Sequence, residues 1–343
     1  MSGARGTGTA AGAHVPEARQ LLRGALSLAY RQLNSRQRLK LGRLPGLLPL
    51  YRAITGRWLT SRGAEEGLVP VRLHRFVFYV DPQESGEGLL FDSYEPATTF
   101  VFERIVAAGD LVADVGAHWG YFTLLAATLC GSTGRVIAFE PHPKNASILA
   151  KNVKANCLGN VEIAQMAVSD QEGFANLFLS RTSSGNSLIS VPSGAEASPD
   201  RTDHIVVETT TLDRFFTPPR HKPKLVKIDI EGGEAVALDG MKTLIRETEE
   251  LVLITEFNPF YFPGAAGEGF LGRLADQSFE MAVIDDARFQ IEVGEACRVA
   301  RRALDKGYKV NLLCVRGSRV NGILRAQGDI GVRRGHSPRI VRL

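Results

Sequence analysis

The stretch DLVADVGAHWGYFTLL, residues 110–125, decides the fold predicted for this chain. It begins as an apolar strand, passes through a turn that contains Gly116 and Gly120, and continues into an apolar helix. A dinucleotide-binding turn has the spacing G-x-G-x-x-G, because the pyrophosphate needs a bare backbone at the second glycine. Here His118 stands at that position. The turn therefore argues against NAD or FAD and favours a nucleoside cofactor without a pyrophosphate.

Strands and helices alternate after this turn. The predicted strands are LVADVG (111–116), RVIAFEP (135–141), VEIAQMAVS (161–169), KLVKIDI (224–230), LVLITEF (251–257), FEMAVIDD (279–286) and VNLLCVR (310–316). The predicted helices are 96–108, 120–130, 143–156, 233–247 and 264–277, and a further strand is expected at 71–81. Such alternation is typical of a parallel sheet with crossover helices. We therefore expect an α/β fold with a mostly parallel, seven-stranded sheet flanked by helices.

The distribution of charge divides the chain into three parts. Residues 1–62 contain 11 Lys and Arg but one acid, and the basic tail 317–343 contains six Arg and one acid. We predict a partly disordered, helical N-terminal extension (1–62) and one catalytic domain (63–316). Within that domain, residues 170–223 are expected to form an inserted β excursion with a mobile loop.

The composition also excludes several classes of partner. An acidic domain argues against nucleic acid, whose affinity comes largely from neutralised phosphates. None of the four cysteines has CxxC or zinc-like spacing, which indicates a cytoplasmic protein without a structural metal. The basic, apolar segment 15–62 is either a helical lid on the domain or an interfacial anchor at the inner face of a membrane. The oligomeric state is left open.

The acids around the turn suit S-adenosylmethionine (SAM), which has a sulfonium, an amino-acid tail and a ribose but no phosphate. Glu140 ends the second strand, beside the turn, where a carboxylate can accept hydrogen bonds from both ribose hydroxyls. Asp170 follows the third strand, where it could meet the adenine amino group. The predicted cofactor-binding residues are Asp114, Gly116, Ala117, Gly120, Glu140 and Asp170. The alternative is that the glycines only permit tight packing and that Glu140 is a solvated strand end.

A second concentration of charge lies in KIDIEGGE, residues 227–234. Lys227, Asp229 and Glu231 share one face of a strand, which is costly in a parallel sheet unless the charges are paired. Open α/β sheets bind ligands at the carboxyl ends of their strands, and Glu256 ends the next strand. We predict these four residues to be catalytic, with Asp229 or Glu231 as the base and Lys227 holding it. A purely structural ion pair remains an alternative. We assign no metal, although a divalent ion bridging the three carboxylates also remains an alternative.

Several of these motifs together resemble the FkbM-type SAM-dependent methyltransferases, a branch of the class I, Rossmann-like fold. The resemblance covers roughly residues 90–260 and rests on DVGAHWGYFTLLAA, VIAFEPHPKNASILAKNVKAN, AVSDQEGFANLFL, NSL, TTTLDRFF and LVKIDIEGGEAVALDG. It implies SAM as the cofactor and methyl transfer to a hydroxyl of a saccharide, glycolipid or secondary metabolite. The acceptor partner is then a small molecule or a glycan.

Two other functions stay open at this point. NPFY, residues 258–261, is similar to the [DN]PPY motif of amino-group methyltransferases, which keeps N-methylation as an alternative. A catalytically silent protein of the same fold, acting as a binding module through its basic extension, is the other alternative.

Overall fold

The computed structural model describes residues 67–73, 76–81, 94–180, 183–188, 203–262, 265–287, 290–293, 300–301, 303–305, 307–317 and 340–342. The basic extension predicted for residues 1–62 and almost all of the tail 317–343 lie outside the described residues.

The strands and helices are numbered here in chain order. The strands are β1 (Val69–Leu73), β2 (Phe76–Val80), β3 (Leu111–Val115), β4 (Arg135–Phe139), β5 (Val161–Ala164), β6 (Ala167–Val168), β7 (Gly173–Phe178), β8 (His204–Thr210), β9 (Leu225–Ile228), β10 (Leu251–Phe257), β11 (Glu280–Asp285), β12 (Gln290–Val293), β13 (Val310–Arg316) and β14 (Ile340–Arg342). The helices are α1 (Pro96–Ile105), α2 (Tyr121–Cys130), α3 (Pro143–Ala155), α4 (Leu212–Phe215), α5 (Glu234–Asp239), α6 (Lys242–Glu247) and α7 (Ala265–Asp276).

The main sheet has the strand order β14-β12-β11-β13-β10-β9-β3-β4-β5. The run from β10 to β5 is parallel, and β13 is antiparallel to both β10 and β11. All seven predicted strands contribute to this sheet, in the class I, Rossmann-like order that places β9 beside β3 and β10 beside β9. β12 and β14 extend one edge beyond the prediction.

Apolar side chains cover both faces of the sheet, as expected for parallel strands between helices. All seven residues of β10 are buried, and so are all four of β9. Because β3, β4, β9 and β10 are parallel, their carboxyl ends meet at one edge. The turn after β3 and the acids that follow β4 and β9 therefore share that edge.

The single strand predicted at 71–81 is wrong, because this segment forms the antiparallel hairpin β1–β2 in which Leu73 pairs with Phe76. The buried residues change parity across this turn. Val71 and Leu73 face the core before it, and Phe76, Phe78 and Val80 face the core after it. A shift of one position in the apolar alternation is the signature of such a turn.

Two other predicted elements are divided in the structure. The strand predicted at 161–169 becomes β5 in the main sheet and β6 in a three-stranded sheet with β8 and β7. The helix predicted at 233–247 becomes α5 and α6, because the chain turns at Gly240. A Cβ there would overlap the backbone carbonyl of Ser169, so only glycine permits the close approach. The loop of the predicted excursion, residues 189–202, lies outside the described residues.

Among the described residues, no helix combines the length and the apolar character that crossing a bilayer requires.

Candidate active site

A cavity lies at the carboxyl ends of β3, β4 and β9. Its lining includes Gly116, His118, Glu140, Ser187, Asp229 and Glu231. The Ser187 hydroxyl donates a hydrogen bond to the backbone carbonyl of Glu231 at 2.8 Å, which ties the segment 184–188 to the end of β9. The cavity volume is about 60 Å³, whereas pockets for small ligands usually measure about 300–1,000 Å³. A nucleoside-sized ligand therefore requires part of this lining to move outward.

The turn after β3 contains two glycines in left-handed conformations, with φ of +81° at Gly116 and +93° at Gly120. A Cβ at Gly116 would overlap the backbone oxygen of Asp229, and a Cβ at Gly120 would overlap the side chain of Leu149. At both glycines, the atoms that a Cβ would meet belong to the protein itself, as the packing alternative predicts. Gly116 also lines the cavity, whereas Gly120 and the buried Ala117 are absent from its described lining.

Glu140 is a buried carboxylate on the wall of the cavity, with 5% of its surface exposed. The backbone N–H of His118 donates to its Oε2 at 2.8 Å, and the backbone N–H of His142 donates to its Oε1 at 3.0 Å. Burial raises the pKa of Glu140 to about 7, although these hydrogen bonds oppose the shift. The interpretation of Glu140 as a solvated strand end is therefore wrong.

The surroundings of Glu140 fit the predicted cofactor. The side-chain amide of Asn145 also donates to Oε1 at 3.3 Å, so Oε1 already has two donors. Each carboxylate oxygen has two lone pairs, so Oε2, whose donor is the backbone N–H of His118, can accept a further hydrogen bond from a ribose hydroxyl. Glu140 is therefore the described residue that could hold the ribose of SAM.

Asp114 and Asp170 lie outside the described lining of the cavity. Asp114 is buried within β3, where the Thr123 hydroxyl donates to its Oδ2 at 2.5 Å, and burial raises its pKa. Asp170 is exposed and accepts a hydrogen bond from the Ser169 hydroxyl at 3.2 Å. The structure does not bring either side chain to the cavity, and their roles in cofactor binding stay predictions.

Lys227 and Asp229 form a buried ion pair at the end of β9. Lys227 Nζ lies 2.8 Å from Asp229 Oδ2, and the side chains are 4% and 17% exposed. Burial alone would raise the pKa of Asp229, but the ammonium groups of Lys227 and Lys309 lower it further than burial raises it. The prediction that the charged residues of this strand are paired is confirmed.

Glu231 and Glu256 complete an acidic cluster with Asp229. One carboxylate oxygen from each of the three residues lies within 4.8 Å of the others, so the predicted proximity of Glu256 to Asp229 is confirmed. Burial and the neighbouring Glu256 raise the pKa of Glu231 to about 8. Burial and Asp229 raise that of Glu256 to about 7. Lys309 Nζ lies 2.6 Å from Glu256 Oε1 and opposes both shifts.

Lys309 and Glu95 also interact with this cluster, and neither was predicted from the sequence. Lys309 immediately precedes β13, and the pairing of Val310 with Phe257 places it opposite the end of β10. Glu95 precedes α1, where burial raises its pKa to about 8 although Lys227 lowers it. In the sequence, Lys309 is recognisable as a basic residue at the start of an apolar strand. Glu95 is recognisable as an acidic residue before a proline that begins a helix.

Comparisons with known proteins identify the family. Residues 114–288, just over half of the chain, match the methyltransferase FkbM domain. No curated protein matches the chain. One similar solved structure is TYW2 from P. horikoshii in complex with MeSAdo, at 11% identity over 80% of this chain and 86% of that chain, with a TM-score of 0.42.

Two similar structures are O-methyltransferases. TomG from Streptomyces achromogenes, in complex with SAM, is 13% identical over 65% of this chain and 80% of that chain, with a TM-score of 0.38. The Bacillus cereus enzyme, in complex with SAH, is 15% identical over 64% of this chain and 79% of that chain, with a TM-score of 0.37. Likenesses this low assign neither substrate nor site residues. The family match, by contrast, spans the glycine turn, Glu140 and the acidic cluster. The chain belongs to the FkbM family of methyltransferases.

Proposed function

We propose that this methyltransferase methylates a hydroxyl of a saccharide, a glycolipid or a secondary metabolite. The observation that carries the proposal is that Asp229 and Glu231 line the same cavity as Glu140, with the carboxylate of Glu256 beside them. A hydroxyl donates its proton, so it suits a site that offers carboxylate acceptors. The family resemblance and this arrangement of acceptors support the same reaction.

The residues of the chain have separable roles in such a transfer. When bound, SAM supplies a methyl group whose bond to sulfur breaks as its bond to the acceptor oxygen forms. Glu140 holds the ribose, and Lys227 fixes the position of Asp229. Asp229 or Glu231 accepts the hydroxyl proton, which accelerates such reactions by about 100- to 10,000-fold. The fixed geometry of acceptor and methyl group supplies a further share, on the order of several kcal/mol.

Two observations weigh against an amine acceptor. An amine attacks only as the neutral base, and a cluster of carboxylates stabilises its charged, unreactive ammonium form. In addition, Asn258 of the NPFY motif uses its side-chain oxygen within its own loop, where it accepts a hydrogen bond from the backbone N–H of Phe260 at 3.1 Å. N-methylation is therefore the second candidate function.

The proposal is tested with SAM labelled in its methyl group, incubated with the full chain and a panel of glycosides, glycolipids and amino-substituted analogues. We expect label on an acceptor oxygen, located by fragmentation of the product. Label on nitrogen would establish the second candidate instead. SAM binding without transfer to any acceptor would favour a silent binding module.

The assigned residues are tested in the same assay. Asp229→Asn and Glu231→Gln should each lower kcat, and at least one of them by about 100-fold. Glu268→Gln is the matched control, because this exposed carboxylate lies outside the cluster. Near-normal turnover in both variants, with folding and SAM affinity intact, would contradict the assignment of the base.

A further inference from the structure

The spacing of Asp229, Glu231 and Glu256 is that of a coordination sphere. One carboxylate oxygen from each residue lies within 4.8 Å of the other two. A divalent cation bound by oxygen ligands lies about 2.0–2.6 Å from each of them, so two ligands on opposite sides are separated by about 4.0–5.2 Å. The three side chains can therefore reach one common ion with little rearrangement.

Each of these carboxylates is also held by a donor of the protein. Lys227 binds Asp229 Oδ2, Lys309 binds Glu256 Oε1, and the Tyr261 hydroxyl donates to the carboxylate of Glu231. Metal-ligating carboxylates are typically oriented by hydrogen bonds of this kind, which fix one oxygen and leave the other for the ion. The cluster thus has oriented ligands rather than three acids that are merely close.

An independent observation concerns the second oxygen of Glu256. This residue is 4% exposed, and its Oε2 has no hydrogen-bond partner among the described residues. Buried polar atoms without a partner are rare and usually mark a missing water, ion or ligand. The unpaired oxygen therefore indicates a ligand at Glu256 that the protein itself does not supply.

We infer that Asp229, Glu231 and Glu256 bind one divalent cation of the kind that prefers oxygen ligands, such as Mg²⁺, Mn²⁺ or Ca²⁺. Each residue supplies one carboxylate oxygen, and the acceptor or water completes the coordination. The inference deepens the proposed function, since an ion at this point would polarise the acceptor hydroxyl and help its proton to leave. Its role in catalysis rests on that function, whereas binding of the ion does not.

Binding is tested on the full chain after treatment with a chelator and its removal. Mn²⁺ serves as the probe, because the electron paramagnetic resonance signal of free Mn²⁺ falls as the ion binds. We expect saturable binding of one ion per chain. Glu231→Gln and Glu256→Gln should each weaken it at least tenfold, and Glu268→Gln should leave it unchanged. Circular dichroism checks the fold, and Glu231→Gln decides the question if the more buried Glu256→Gln does not fold.

The outcomes separate this site from the proposed function. Absence of saturable binding to the folded wild type would overturn the inference, and so would equal affinities for wild type, Glu231→Gln and Glu256→Gln. If Mn²⁺ does not bind and methyl transfer persists in excess chelator, the metal site is refuted and O-methylation is still supported. If Mn²⁺ binds specifically but no hydroxyl is methylated, the metal site is supported and the proposed function is refuted.

Discussion

At the residue scale, Glu140 connects the fold to cofactor affinity, and its pKa of about 7 makes that affinity depend on pH. The ionised carboxylate offers Oε2 as an acceptor to a ribose hydroxyl, whereas protonation weakens this acceptor. SAM affinity should therefore weaken about tenfold as pH falls from 8 to 6, because the carboxylate takes up a proton through this range. Calorimetric titrations at several pH values measure the effect.

A variant separates this effect from other titrations. Glu140→Gln should bind SAM weakly at every pH and show a flat profile, because the amide has one oxygen acceptor and does not titrate. A wild-type affinity that is independent of pH, or an unchanged pH profile in the variant, would show that Glu140 does not hold the ribose.

The buried ion pair belongs to the same scale. Removing one partner of such a pair leaves an uncompensated buried charge, which typically costs about 3–5 kcal/mol. Lys227→Met should lower the free energy of unfolding by about that amount, because Asp229 then lacks its nearest cation. Lys242→Met is the control, since its exposed ammonium pairs with Asp239 at 2.9 Å and exposed pairs contribute less than about 1 kcal/mol. Urea unfolding measures both variants, and equal losses would contradict the argument.

At the scale of elements, the turn between β3 and α2 depends on Gly116 for two reasons. Its φ of +81° lies in the left-handed region, and a Cβ would overlap the backbone oxygen of Asp229. Gly131 has a φ of +66° and a ψ of −172°, a conformation that is found almost only at glycine, but open space where a Cβ would point. Gly131→Ala should therefore cost only the conformational strain, about 1–3 kcal/mol. Gly116→Ala should cost about 1–3 kcal/mol more, because the end of β9 is displaced. Thermal unfolding compares the two, and an equal cost would refute the contact.

The sequence predicts the elements of the main sheet well, because β3, β4, β9 and β10 are apolar runs bounded by polar turns. It fails where tertiary contacts cut a continuous pattern. The division of the predicted helix at Gly240 follows from the approach of Ser169, which comes directly after β6. Glycine is a residue type that often ends helices, but the sequence alone does not show the approach of Ser169.

The same distinction applies to the site. Glu140, Asp229 and Glu256 were predictable because each lies at or beyond the carboxyl end of a parallel strand, and those ends share one edge. Lys309 and Glu95 come from an antiparallel strand and from the start of a helix. Their contacts with the cluster depend on how these distant elements pack. The acids that follow the parallel strands could be found from the sequence, but Glu95 and the cation that pairs with Glu256 could not.

At the scale of the whole molecule, the acidic residues of the site and the basic residues of the N-terminal extension lie in different parts of the chain. Residues 1–62 carry 11 Lys and Arg and one acid, and we propose that they contact anionic membranes. Deletion of this segment should reduce sedimentation with vesicles that contain anionic lipid, because about 1 kcal/mol per basic residue near the surface is lost. SAM affinity should be unchanged. Neutral vesicles provide the control, and equal binding of both chains to anionic vesicles would remove the membrane contact.

The most direct test of the cofactor site is a calorimetric titration of the full chain with SAM and, separately, with NADH. We expect saturable binding of one SAM per chain, with a dissociation constant on the order of micromolar, and no saturable heat with NADH. The reason is that His118 occupies the position where a pyrophosphate needs a bare backbone. A folded chain that does not bind SAM, or that binds NADH in competition with it, would show that the turn after β3 is not a SAM site.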